Sequence, residues 1–447
     1  MDRLNVVIIG AAGMDFHVFN TVFRENRDCE VRAFTMAGEQ NLGTVESGKR
    51  VYPPELAGVM YPKGIPIISE TELESFIKNE KIDECFLAYS DLSYNDVMTK
   101  ASKCLAVGAN FSLISPRFTM IKSGKPVISV CAVRTGCGKS QTSRKIVQII
   151  KDLGYRVVAI REPMPYGDLK EQACMRFADY SDLDKHKCTI EEREEYEPYI
   201  ERGLVIYSGV DYEKIIREAE KEADIIVWDG GNNEVSFYVP DVLLVVADPL
   251  RPGHELSYYP GEVNARMADY VIINKEDSAN GRDIAKVQNN ILKINPNTKI
   301  IHADSVVSVD DPEAVKGKRA LIVEDGPTIT HGDMPYGAGI VAAKKYGCLI
   351  VGTRENAVGN LKEVYKNFPH IGDVLPAMGY SDSQLKELQE TINQTDCDVI
   401  LSGTPIDLSK IIKTDKKIVR VRYELEEKGK PDLKNAINDL LDKSGNK

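Results

Sequence analysis

Short runs of apolar, often β-branched residues recur from one end of the chain to the other, each followed by a stretch with helical spacing. "NVVIIG", "ECFLAYS", "PVISVCAV", "YRVVAIR", "ADIIVWDG", "DVLLVVAD", "DYVIINK", "RALIVEDG" and "CDVILSGT" are apolar with little alternation. A strand wetted on one face alternates, whereas a continuous apolar run suits a strand covered by helices on both faces. The pattern predicts an α/β protein built from several doubly wound parallel sheets.

Breaks in the pattern divide the chain. "MIKSGKPVISV" carries Gly124 and Pro126 just before a new strand, and "VDDPEAVKGKRALIV" is polar and interrupted by Pro312 and Gly317 before another. The 447 residues exceed what one hydrophobic core supports, so three blocks are expected: 1–125, 126–315 and 316–447.

Composition narrows the classes. With 43% hydrophobic and 28% charged residues the chain reads as an ordinary soluble globular protein. A net charge of −11 argues against nucleic acid or anionic lipid as a partner. Nine cysteines without a Cys-x2-Cys pair suggest reduced thiols, and no apolar run is long enough to span a bilayer. The expectation is a cytoplasmic protein that binds neither nucleic acid nor membrane.

The strongest chemistry sits in "VCAVRTGCGKSQTSRKI". Residues 126–133 read as a strand and 140–153 as a helix, with Arg134, Thr135, Gly136, Cys137, Gly138, Lys139, Ser140 and Gln141 at the turn between them. Backbone N–H groups at a helix start, reinforced by the helix dipole, can surround a polyphosphate. Gly136 and Gly138 let the backbone approach, Lys139 supplies a cation to the terminal phosphates, and Ser140 offers a hydroxyl to magnesium.

Val133 stands where the common phosphate loop has its first glycine. The segment instead resembles the deviant loop, Lys-Gly-Gly-x-Gly-Lys-Ser/Thr, of the P-loop class that contains the nitrogenase iron protein and dethiobiotin synthetase. In some members the first lysine reaches a phosphate across a dimer interface. Arg134 takes its place here, as a candidate clamp on transition-state charge, and a homodimer is expected. The resemblance makes block 126–315 a P-loop NTPase domain after a Rossmann-like block 1–125.

Other strand ends add candidates. "ADIIVWDGGNN" puts Asp229 where a carboxylate can hold a magnesium-bound water, with Asp168 a second metal candidate. "NKED" places Asn274, Lys275 and Asp277 like the Asn-Lys-x-Asp element with which GTPases hold guanine, whose two N–H donors an aspartate accepts. Related folds use the asparagine for adenine, so ATP and GTP both stay open. The turn "GAAGMDFH" offers Gly10, Gly13 and His17 to a ligand. "RPGHE" offers Arg251 and His254, and "DGPTITHGDMPYGAG" offers Asp325, Thr330 and His331. Glu191 to Glu197 read as an exposed, charge-paired helix outside the site.

As a whole the sequence resembles the cyclic 2,3-diphosphoglycerate synthetases, a group also described as GTPases. "VIIGAAGMDFHVFNTVFR", "REPMPYGDL", "CTIEEREEYEPYIERG", "ADPLRPGHELSYYPGE" and "VEDGPTITHGDMPYGAG" carry the likeness with the phosphate loop. It implies an ATP- or GTP-dependent, Mg2+-requiring phosphoryl-transferring synthetase that acts on a small phosphorylated carboxylic acid, closing 2,3-diphosphoglycerate to its cyclic phosphoanhydride with release of the nucleoside diphosphate and phosphate. Lys139, Arg134 and Asp229 would be catalytic. The alternative is a dimerising GTPase that acts as a switch or chaperone for a protein partner.

Overall fold

A computed structural model describes the chain except residues 1–2, 11–12, 37–49, 163–166, 232–233, 331–333, 378–381 and 446–447. The apolar runs form strands where they are expected. The six residues of Val127–Ala132 and the six of Val242–Ala247 are all buried, which only a strand covered on both faces achieves.

The first block folds around its own sheet of six strands. Their order is Arg50–Tyr52, Ile65–Ser69, Cys29–Met36, Leu4–Ile9, Glu84–Leu87, Asn110–Leu113, parallel except for the first. All later strands but one, Tyr258–Tyr259, which pairs with Leu92–Ser93 of the first block, share one sheet of thirteen strands. Its first part sets Val127–Ala132 between Ile225–Asp229 and Val242–Ala247, followed by Tyr270–Ile273, all parallel. Its last part holds Arg319–Asp325 beside Val399–Ser402.

A long ribbon joins the two parts. Lys299–Val309 pairs parallel with Tyr270–Ile273 through its first residues, then antiparallel with Lys417–Lys428 from His302↔Lys428 to Val309↔Val421. Lys417–Lys428 in turn pairs parallel with Val399–Ser402. One antiparallel step between two parallel sets reverses direction. The carboxyl ends of the phosphate-loop strands and of the last strands therefore point toward each other across the ribbon. Open α/β sheets bind ligands at the carboxyl ends of their strands, and here two such edges face one cavity.

All nine cysteines are free thiols. Among the described residues no helix is long and apolar enough to cross a membrane.

Candidate functional site: a phosphate loop facing an acidic wall

The buried strand Val127–Ala132 runs into the turn 134–138, and the helix Lys139–Asp152 begins immediately after it. Gly136 and Gly138 have φ of +80° and +103°, which side-chain-bearing residues rarely adopt. A Cβ on Gly138 would lie 2.2 Å from Asn274 Nδ2 and 2.5 Å from Gln141 Nε2.

Three side chains hold the loop from behind by its carbonyl oxygens. Arg251 Nη2 donates to Thr135 O at 2.7 Å, Lys275 Nζ to Gly136 O at 2.5 Å and Asn274 Nδ2 to Cys137 O at 2.9 Å. Asp248 organises this brace, accepting from Arg251 at 3.1 Å and Lys275 at 3.0 Å. Because a peptide's C=O and N–H point opposite ways, tying the carbonyls back turns the amides forward. Among the described residues the N–H groups of Gly136, Gly138, Lys139 and Ser140 meet no acceptor. Free N–H groups at a helix start are an anion cradle.

Lys139 donates to Gly230 O and lies 3.3 Å from Asp229 Oδ1. Asp229 is fully buried and has three further donors: Ser143 Oγ at 2.8 Å, Arg161 Nη1 at 2.9 Å and Tyr199 OH at 2.9 Å. Burial pushes its carboxyl up, but the charges of Lys139 and Arg161 and the hydroxyl donors outweigh it, holding the group well below the usual carboxylate range. Arg161 Nη1 also stands 3.3 Å from Ser140 Oγ. A guanidinium thus bridges the two groups expected to share a magnesium, and among the described residues no cluster of three or more His, Cys, Asp or Glu is placed to hold a metal ion. A resident magnesium does not fit this arrangement.

The cavity in front of the loop is closed on its far side by carboxylates: Glu194, Glu195, Glu324 and Asp325 line it together with Thr328 and Tyr423. Glu195 pairs with Arg161 at 2.5 Å. Glu324 is 1% exposed and accepts the N–H groups of Gly337, Gly339 and Ile340 at 2.9–3.1 Å, yet burial still pushes it up to about 7. Burial likewise pushes Asp325 up to about 6 against the donation of Thr328 Oγ1 at 2.6 Å. One end of the cavity is thus suited to phosphate and the other to a positively charged group.

Of the expected residues, Arg134, Thr135, Gly136, Gly138 to Gln141, Lys275 and Asp325 line this cavity, while Cys137, Asp229 and Asn274 are buried beside the loop, and not all take the expected roles. Asn274 and Lys275 spend their side chains on the loop's carbonyls. Asp277 is exposed and accepts from Ser305 N at 3.1 Å. Arg134 borders the cavity, but its guanidinium is held by Asp91 at 2.7 Å and His254 Nδ1 at 2.8 Å over the face of Tyr258. The expected phosphate clamp and the expected substrate ligand His254 thus hold each other. Arg251 is buried behind the loop, so its role is bracing and not substrate contact.

Three expectations fall away from the cavity. Asp168 is exposed, its carboxylate capping Lys170 N at 2.9 Å. His17 is buried in an aromatic stack on Phe237, its ring centroid 4.1 Å away, and burial lowers its pKa to about 3. Thr330 is buried and donates to Gly326 O at 2.8 Å. His331 lies outside the described residues.

The helix Ile190–Ile200 is a correction. It is not a solvated face: Glu192, Glu194, Tyr196, Glu197 and Tyr199 are buried, Tyr199 reaches Asp229, and Glu194 and Glu195 line the cavity. The signal in the sequence was Tyr196 and Tyr199 at i,i+3 on an otherwise charged helix, an aromatic pair that a solvated helix has no use for. Arg161 and Glu324, each at the end of an apolar run, were missed as well.

No family model matches the chain. Among solved structures it is remotely similar to LpxK of Aquifex aeolicus in complex with ATP, at 14% identity and a TM-score of 0.41 over 72% of this chain and 90% of that one. It is also remotely similar to the hydrogenase maturation factor HypB of Archaeoglobus fulgidus, at 14% identity and a TM-score of 0.26 over 40% and 82%. It is 59% identical over 438 residues, 98% of this chain and 97% of the other, to the arginine synthetase ArcE of Thermococcus kodakarensis. Identity of that level over nearly the whole of both chains settles descent: the protein is an enzyme and belongs to the family of the synthetase ArcE.

Proposed function

We propose that the protein is an NTP-dependent synthetase that makes arginine, the product named for its relative. The observation that carries this reading is the two-ended cavity. An amide cradle with Lys139 faces Glu194, Glu195, Glu324 and Asp325, so a triphosphate and the α-ammonium end of an amino acid can enter one space from opposite ends.

The chemistry follows from what a guanidinium is: a ureido group whose oxygen has been replaced by nitrogen. The γ-phosphoryl passes to the ureido oxygen of a δ-ureido amino acid, and the nucleoside diphosphate leaves. Ammonia then attacks the ureido carbon, the C–O bond breaks, and that oxygen departs in inorganic phosphate. Positioning and charge supply the catalysis. The amides of Gly136, Gly138, Lys139 and Ser140 and the ammonium of Lys139 hold the phosphates, while Arg161, close to Ser140, faces charge that develops on the transferred group. Magnesium arrives with the nucleotide as part of the substrate.

A small phosphorylated acid such as 2,3-diphosphoglycerate would bring several negative charges to the same acidic wall, which disfavours it. The test is phosphate release and product formation with ATP or GTP. L-citrulline plus ammonium is one acceptor, 2,3-diphosphoglycerate another, and Lys139→Ala the blank. Arginine formation that depends on both ammonium and Lys139 is expected. Turnover with 2,3-diphosphoglycerate and none with citrulline would replace this reading by the cyclising one.

A further inference from the structure

A second acidic cluster lies beside the phosphate loop, where the first block meets the second. Glu162 follows Arg161 at its strand end, and its carboxylate is wedged between two glycines. A Cβ would lie 1.9 Å from its Oε1 if placed on Gly13, and 2.1 Å from its Oε2 if placed on Gly231. Gly13 N in turn donates to Asp15 Oδ1 at 2.8 Å. Glu234, held by Ser90 Oγ at 2.7 Å, lies within hydrogen-bonding reach of Glu162. Asp15, Glu162 and Glu234 are 1%, 8% and 4% exposed. Burial and the neighbouring charge of Glu234 hold the Glu162 carboxyl far above the usual range.

The surroundings make this more than a group of acids. Among the described residues Glu234 Oε2, Tyr212 OH and His17 Nε2 are buried without a hydrogen-bond partner. Native proteins satisfy nearly all buried polar groups, and exceptions that collect in one place call for a missing partner. The rings of Tyr212, Trp228 and His17 pack around Phe237, with centroids 4.1–4.8 Å from it. Tyr212 feels the charges of both Glu162 and Glu234. Among the described residues neither Glu162 nor Glu234 forms an ion pair, although the charge of the adjacent Arg161 acts on Glu162, and the acids are not arranged as metal ligands. Converging carboxylates beside aromatic rings suit a cation that donates several N–H bonds.

We propose that Glu162, Glu234 and Asp15, with the Tyr212 hydroxyl, form the binding site for the cationic nitrogen of the reaction: the ammonium it consumes or the guanidinium it produces. The inference rests on the arginine-forming reading. Gly231 borders both this cluster and the cavity at the phosphate loop, so the bound nitrogen adjoins the place where the phosphoryl group is transferred. Ammonium must lose one proton before its lone pair can attack. A carboxylate of the pair takes that proton, the C–N bond forms, and the phosphate leaves with the electrons of the C–O bond.

The test uses the full chain. In wild-type protein without nucleotide, ammonium chloride (against potassium chloride) or arginine should raise the thermal midpoint; no rise with either overturns the site. Glu234→Gln should raise the KM for ammonium, or the Kd for arginine, at least tenfold and leave the KM for the nucleotide within twofold. The ligand that weakens identifies which nitrogen the site holds. Unchanged values for both in a folded Glu234→Gln protein overturn the proposal while arginine formation stands. Wild-type protein that binds these cations but makes no arginine overturns the synthetic reading instead.

Discussion

Arg134 Nε stands 2.7 Å from Asp91 Oδ1, joining the phosphate loop of the large sheet to the first block of the chain. The pair is 2% and 11% exposed, and Arg134 Nη1 meets His254 Nδ1 on its other side. A guanidinium only donates, so His254 accepts through Nδ1, and its neutral ring carries the proton on Nε2.

Breaking this pair strands a buried charge. Asp91→Ala should destabilise the protein by about 3 kcal/mol, the order found when one partner of a buried ion pair is removed. Arg134→Met with Asp91→Ala should cost less than the two single changes summed. Denaturant midpoints of the three variants measure the coupling, and strict additivity would deny it.

Gly138→Ala and Gly154→Ala separate backbone strain from crowding. Both positions have positive φ, +103° and +89°, but only Gly138 has neighbours a Cβ would strike. Gly154→Ala should cost about 1 kcal/mol, the penalty for a left-handed L-residue. Gly138→Ala should cost more and lose nucleotide binding as well, because Asn274 and Gln141 must move. Calorimetric titration with nucleotide, alongside thermal midpoints, checks both.

Tyr199→Phe removes one donor from the buried carboxylate of Asp229 without changing the side chain's shape. A hydrogen bond to a charged group contributes about 1.5–3 kcal/mol, and a loss in that range is expected in urea unfolding. An unchanged midpoint would mean that Ser143, Lys139 and Arg161 satisfy Asp229 without it.

Glu324 gives stability a pH dependence of predictable sign. Its folded-state pKa, about 7, lies above its ordinary value of 4.5, so folding favours the protonated form. The contribution is fully present below pH 4.5 and is lost as pH rises toward 7. Glu324→Gln should therefore flatten the stability profile across that window by up to about 3 kcal/mol. Unfolding free energies at pH 4.5 and 8 for both proteins test it, and parallel profiles would contradict it.

Local pattern made much of this protein legible. The apolar runs fixed the strands, because a buried strand has to be apolar on both faces. "RTGCGKS" fixed the phosphate loop, because positive φ at Gly136 and Gly138 and a cation at Lys139 are properties of single positions. Residues that act through distant partners were not legible. Asn274 and Lys275 spell a base-binding element yet hold the loop's carbonyls, and the helix Ile190–Ile200 looks solvated yet supplies Tyr199 to Asp229. Only the tertiary structure decided these roles, since the field and hydrogen bonds around a side chain come from segments far away in sequence. The reversal at Lys299–Val309 and Lys417–Lys428, which brings the acidic wall opposite the phosphate cradle, is likewise a property of strand pairing. No stretch of sequence contains it.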